Sequence, residues 1–131
     1  MSPFLLTLIA TVLAFVLGAV YYTVLDGQLA AARAATDPEA RPPATSRWTF
    51  AAELGRCLVL AAVVVGLSGW ASVDSWSEGL LLGLVLWVGF PAVLWVGAVV
   101  HERTPWRLAV IHAGDWLVKL LLIAVIVGVW R

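Results

Sequence analysis

The sequence predicts an all-α membrane protein, a four-helix transmembrane bundle with up-and-down topology. Three observations carry that reading. Of the 131 residues, 63% are hydrophobic and 12% charged, against about 45–50% and about 25% in soluble domains. Four stretches each approach the roughly 20 apolar residues that a helix needs to cross about 30 Å of hydrocarbon. None of the four alternates with period two, as a strand of a lipid-facing barrel would. The length is that of one domain, so residues 1–131 are read as a single transmembrane domain with the lipid bilayer as its surroundings.

The first span runs from about Pro3 to Leu25. It lacks a positive n-region and is longer than a usual signal-peptide core, so it is expected to be retained as a span although Ala30–Ala35 offers small residues for cleavage. The Ala-rich stretch after it could extend that helix, and the following DPEARPPATS is a Pro-rich polar linker without the means to form a core. Together, about 26–47 form the longest connection. The second span covers about Phe50 to Val73. Ser75 and Glu78 then read as a capping box ahead of a third span from about Gly79 to Val100. Pro91 falls midway along it, where a missing N–H should kink the helix. Thr104–Pro105 offers a cap and a first-turn proline for a fourth span from about Trp106 to Trp130.

Orientation follows from the placement of Lys and Arg. The first loop carries Arg33, Arg41 and Arg47 and the third carries Arg103 and Arg107, whereas the second carries only Asp74 and Glu78. The positive-inside rule makes the first and third loops cytoplasmic and puts both termini on the other side. Only Arg131 lies opposite. Trp48 and Trp106 would anchor one interface and Trp70, Trp76 and Trp130 the other. Trp87, Trp95 and Trp116 lie deeper, packing between helices or lining a pocket.

Several function classes lack any signature. Formal net charge is zero, so no overall field favours nucleic acid. Cys57 is the single cysteine, which excludes an intrachain disulfide and a cysteine metal cluster; it is expected to pack as a small apolar side chain. No Gly-rich phosphate loop or Ser/His/Asp grouping is present, so no enzyme activity and no cofactor is expected. A metal site from His101, Glu102 and His112 would need ligands that converge, but neighbouring helical residues diverge by about 100° and no HExxH spacing exists. His101 and Glu102 read instead as interfacial polar residues.

Asp115 and Lys119 are the sharpest feature. At about 1.5 Å per residue from Leu108, they lie about 10 and 16 Å into the fourth span, where an ionised group costs about 3 kcal/mol or more. His112, Asp115 and Lys119 share one helix face by the i, i+3, i+7 rule. Asp115 can therefore accept from Lys119 one turn on and from His112 one turn back. Two readings stay open: a structural ion pair that lets the helix insert as a neutral unit, or a proton or ion relay. Glu53 and Arg56 form a second i, i+3 pair, read as an interfacial anchor with Glu53 outside; the alternative turns Arg56 inward towards Asp115 or His112. Small residues recur every four positions at Ala10, Ala14 and Gly18, at Gly79 and Gly83, and at Ala124 and Gly128. Such rows allow close helix contact, within the bundle or against another membrane subunit.

The stretch GLLLGLVLWVGF-P followed by HERTPWRLAVIHAGDWLVKLLLIAVIVGVW resembles the C-terminal half of the domain of unknown function 1761 family, small bacterial membrane proteins. The shared features are the doublet Glu102–Arg103, the turn Pro105–Trp106 and the segment Ile111–Asp115. Leu17–Gly18 before Tyr21–Tyr22 is similar to the front of that family. His112, Asp115 and Lys119 depart from the family pattern, with Asn expected at 112 and an aromatic residue at 115. The resemblance implies a fold and the bacterial inner membrane, and no activity. The expected function is a structural or accessory subunit of a larger membrane complex, with other membrane subunits or self-association as partners. A small oligomeric proton-coupled carrier using His112, Asp115 and Lys119 is the alternative, and an intramembrane enzyme the third.

Overall fold

The computed structural model describes residues 1–35, 37–39 and 46–131. Most of them are helical: α1 (Pro3–Val24), α2 (Asp26–Ala34), α3 (Arg47–Trp70), α4 (Trp76–Trp87), a π-helical turn (Val88–Ala92), α5 (Val93–His101) and α6 (Trp106–Trp130). Four helical runs are long and apolar enough to cross a membrane: Pro3–Val24, Arg47–Trp70, Trp76–His101 and Trp106–Trp130. The Pro-rich linker falls largely at 40–45, outside the described residues.

Local chemistry sets the helix ends. Ser2, Ser46 and Ser75 each accept a backbone N–H of the first turn, opening α1, α3 and α4. Glu78 reaches back to accept from the Asp74 N–H at 2.6 Å, one residue ahead of the Ser75 N–H that a capping box uses. The expected Thr104 cap does not form: α6 starts at Trp106 behind Pro105, with no side-chain cap. The Thr104 N–H instead turns back to the Ala98 carbonyl, following Arg103 in the left-handed region at φ 57°. The doublet Glu102–Arg103 thus ends α5 by conformation as well as by charge. Pro91 has no N–H to give, and the helix widens into the π-helical turn around it.

The helix after α1 does continue, but with a break at Leu25. Leu29 and Ala32 of α2 are buried, and α2 lies against α6, so it folds back over the bundle.

α6 is the central element, packed by α1, α3 and the third span. α1 and α3 pack together, whereas the third span leans chiefly on α6. Spans two and three therefore leave a lateral gap. The glycine rows explain the close α4–α6 contact. A Cβ added at Gly79 would stand 2.2 Å from the Ala124 carbonyl oxygen, and one at Gly128 2.2 Å from that of Ser75. Ala10, Ala14, Ala61 and Ile123 are fully buried in the shared core with Leu6, Val64 and Val127. Most other large apolar side chains, such as Phe4, Val16, Val59, Leu81 and Val96, face outward, as lipid contact requires.

Candidate functional site

The end of the bundle where α1 finishes and α6 begins holds a polar cluster drawn from three helices. Lys119 and Asp115 of α6 are 5% and 4% exposed. The Lys119 ammonium donates to Asp115 Oδ2 at 3.0 Å, the pairing expected from the i, i+4 spacing. It also donates to Glu53 Oε1 of α3 at 2.9 Å. Glu53 Oε2 in turn accepts from Arg56 at 2.8 Å. Two carboxylates and two cations alternate, so the group is neutral as a whole, which is the condition for keeping charges in a low-dielectric interior.

The expectation that Glu53 stays outside is therefore corrected. Glu53 turns inward, and Arg56 remains at the rim with its side chain 63% exposed. Lys119, about halfway along α6, has a donor to share, since a single carboxylate cannot use all three of its N–H bonds.

His112 is corrected as well. It does not bond Asp115 directly. Its Nδ1 lies 2.8 Å from the Tyr22 hydroxyl, which also donates to Asp115 Oδ2 at 3.3 Å. Tyr22 thus bridges the two groups, giving its proton to the carboxylate while its oxygen accepts from the imidazole tautomer that carries a proton on Nδ1. Trp95 stacks on the other side of the imidazole, with centroids 5.0 Å apart and planes 16° apart. Arg33 of α2 contributes a further positive charge acting on that ring. His101 and Glu102 are exposed at the end of α5 and do not join the cluster.

Several residues that the sequence did not mark as part of the polar face build the site. Gly18 faces the ion pair: a Cβ there would come within 2.8 Å of Lys119 Cε. Gly114 makes room for Tyr21, whose hydroxyl donates to the Ile111 carbonyl. Trp87 Nε1 donates to the Ala113 carbonyl at 2.8 Å, tying the third span to the same stretch of α6. One signal was available: Ala14, Gly18 and Tyr22 are four residues apart, so the small-residue row of α1 leads to Tyr22.

One atom is left over. Asp115 Oδ1 is buried with no hydrogen-bond partner among the described residues. Among the same residues, no group of three or more His, Cys, Asp or Glu side chains is placed to hold a metal ion. Cys57 is buried, with its sulfur 3.9 Å from Glu53 Oε1.

A second, apolar feature adjoins the cluster. The gap between spans two and three is a groove of about 600 Å³, walled by Leu60, Val64 and Leu67 on one side and by Phe90, Pro91 and Leu94 on the other, over Trp116 and Leu120. At its polar end a small cleft is lined by Glu53, Arg56 and Lys119, and shares Leu60 and Trp116 with the groove.

Four apolar helices around a neutral ion-paired centre define the class: a small integral membrane protein that keeps charge in its interior by exact internal compensation. The chain belongs to the family described as protein of unknown function (DUF1761), whose model matches residues 5–128 and so takes in all four spans. No curated protein and no solved structure matches it.

Proposed function

We propose that this chain is a non-enzymatic accessory subunit of a larger assembly in a bacterial inner membrane, with both termini on the non-cytoplasmic side. The polar cluster serves it as an internal clamp. The observation that carries this reading is where the cluster stops. Beyond Lys119 the interior is an apolar core of Leu6, Ala10, Val64, Ile123 and Val127, and the two hydroxyls buried in that half, Thr11 and Ser68, each donate to a carbonyl of their own helix. A relay that crossed the bilayer would need a connected row of polar groups or water there, and two separate hydroxyls already bonded within their helices do not form one. A neutral cluster that joins α1, α3 and α6 has a sufficient role in fixing how those helices meet.

Gentle detergent extraction tests the subunit role. We expect a partner membrane protein at fixed stoichiometry; a lone homo-oligomer would overturn it. For orientation, a reporter fused after Arg131 should read as non-cytoplasmic, and a cytoplasmic reading would reverse the topology.

The second reading, a proton-coupled carrier, draws on two observations: the unpartnered Asp115 Oδ1 and the Tyr22 bridge to His112. Vesicles with a trapped pH-sensitive dye discriminate the two readings. Proton flux that is present in the native protein and vanishes in a well-assembled Asp115→Asn, Lys119→Met double variant would favour the carrier.

A further inference from the structure

We propose that the groove between spans two and three is a binding site for one anionic membrane phospholipid, with its head at Arg56 and one acyl tail lying along Trp116. The inference is independent of whether the chain is a subunit or a carrier.

The charge of the cleft selects the head. The cluster is neutral as a whole, but the member it presents at the rim of the cleft is Arg56, whose side chain is 63% exposed, whereas Asp115 is buried behind Lys119. Lys119 has two donors committed to carboxylates. Arg56 spends one N–H on Glu53 and is otherwise directed to the rim, where a guanidinium can grip a phosphate with its remaining donors. A zwitterionic head would bring its own cation against Arg56 and gain less.

The dimensions select the tail. From Arg56 to Leu67 the α3 wall advances eleven residues, about 16 Å of helix rise, close to half of the roughly 30 Å hydrocarbon core. One acyl chain of one leaflet therefore fills the groove with its head at the polar end. The groove volume, about 600 Å³, also falls in the range of about 300–1,000 Å³ found for small-ligand sites. Phe90 and Pro91 of the π-helical turn form part of the wall that faces α3 across the groove.

The test compares phosphatidylglycerol with phosphatidylcholine of identical chains, titrated into the purified full chain and read by native mass spectrometry. The native protein should retain phosphatidylglycerol about fivefold better, the value of roughly one near-surface cation. Arg56→Gln should abolish that preference, and Arg56→Lys should keep it. Removing Arg56 leaves Glu53 bonded to Lys119 and, with its side chain 32% exposed, open to water, so the bundle should still form. Gly89→Leu fills the groove, and a Cβ there meets nothing within 4 Å; it should weaken retention of both lipids with helix content unchanged. Equal retention of the two lipids by the native protein overturns the proposal. So does an undiminished preference in Arg56→Gln, undiminished retention in Gly89→Leu, or a co-purified neutral lipophile or partner helix that excludes phosphatidylglycerol.

Discussion

The two ends of the bundle are held by different physics. Where α1 ends and α6 begins, α1, α3 and α6 meet through Tyr22, Glu53, Asp115 and Lys119, a network of hydrogen bonds between charged or polar side chains. At the opposite end α4 and α6 meet through Gly79, Gly83, Ala124 and Gly128, where backbone approaches backbone. Lipid tails are as apolar as leucine, so burial against a neighbouring helix gains little over burial in lipid. Helices in a membrane are then joined either by polar bonds or by dispersion across a very short distance. This chain uses one at each end. The polar end tolerates conformational adjustment of long side chains, whereas the glycine end depends on backbone positions that cannot give.

The largest effect should come from breaking charge neutrality at the polar end. Lys119→Ala leaves Asp115 without a cation in the interior and should cost about 3–5 kcal/mol, read as lost membrane yield or a lower Tm in detergent. The neutral pair Lys119→Met with Asp115→Asn should recover most of it, because Glu53 keeps Arg56. Equal losses in the single and double variants would mean that the two side chains are not energetically paired.

At the glycine end, Gly79→Leu should approach or exceed the ~3 kcal/mol of a severe overpacking change, since the added Cβ meets a carbonyl rather than a movable side chain. A cross-link between Gly83 and Ala124, each changed to cysteine, should form in the native background, where a Cβ at 83 stands 3.3 Å from that of Ala124, and fail in Gly79→Leu. Persistence of that cross-link would show that α4 does not need its close approach to α6.

Gly18→Ala probes where the two kinds of contact meet. The new methyl would press on Lys119 Cε, the end of a side chain that two carboxylates hold in place, and should cost about 1–3 kcal/mol. Combining it with the neutral double variant should shrink the penalty, because the methionine at 119 is then free to move. An unchanged penalty would disconnect Gly18 from the ion pair.

The smallest effect is expected at Arg131. Its guanidinium donates to the carbonyls of Ser68 and Val73 at the end of α3, and Arg131→Ala should lower stability by about 0.3–1 kcal/mol, the usual value of a cation at a helix C-terminus. A loss as large as that of Lys119→Ala would mean that Arg131 is a principal tie between α3 and α6.

The number of spans, their approximate ends and the residues that would be costly to bury were legible in the order of the residues alone. Those features are local. A run of apolar residues, a serine ahead of a helix and a proline inside one act over a turn or two, whatever the rest of the chain does. The spacing of Asp115 and Lys119 likewise made their pairing legible, because i and i+4 share a face on any helix. Only the tertiary structure decided that Glu53, 66 residues away, supplies the second carboxylate, that Tyr22 stands between His112 and Asp115, and that Trp95 covers the imidazole. Those partnerships depend on the rotation of each helix about its own axis and on which neighbour it chooses. Hydropathy leaves that rotation almost free in a chain that is apolar on nearly every side, with four spans whose exposed and buried faces differ little in composition. It is set by where glycines let backbones meet and by the requirement that every buried charge find its opposite.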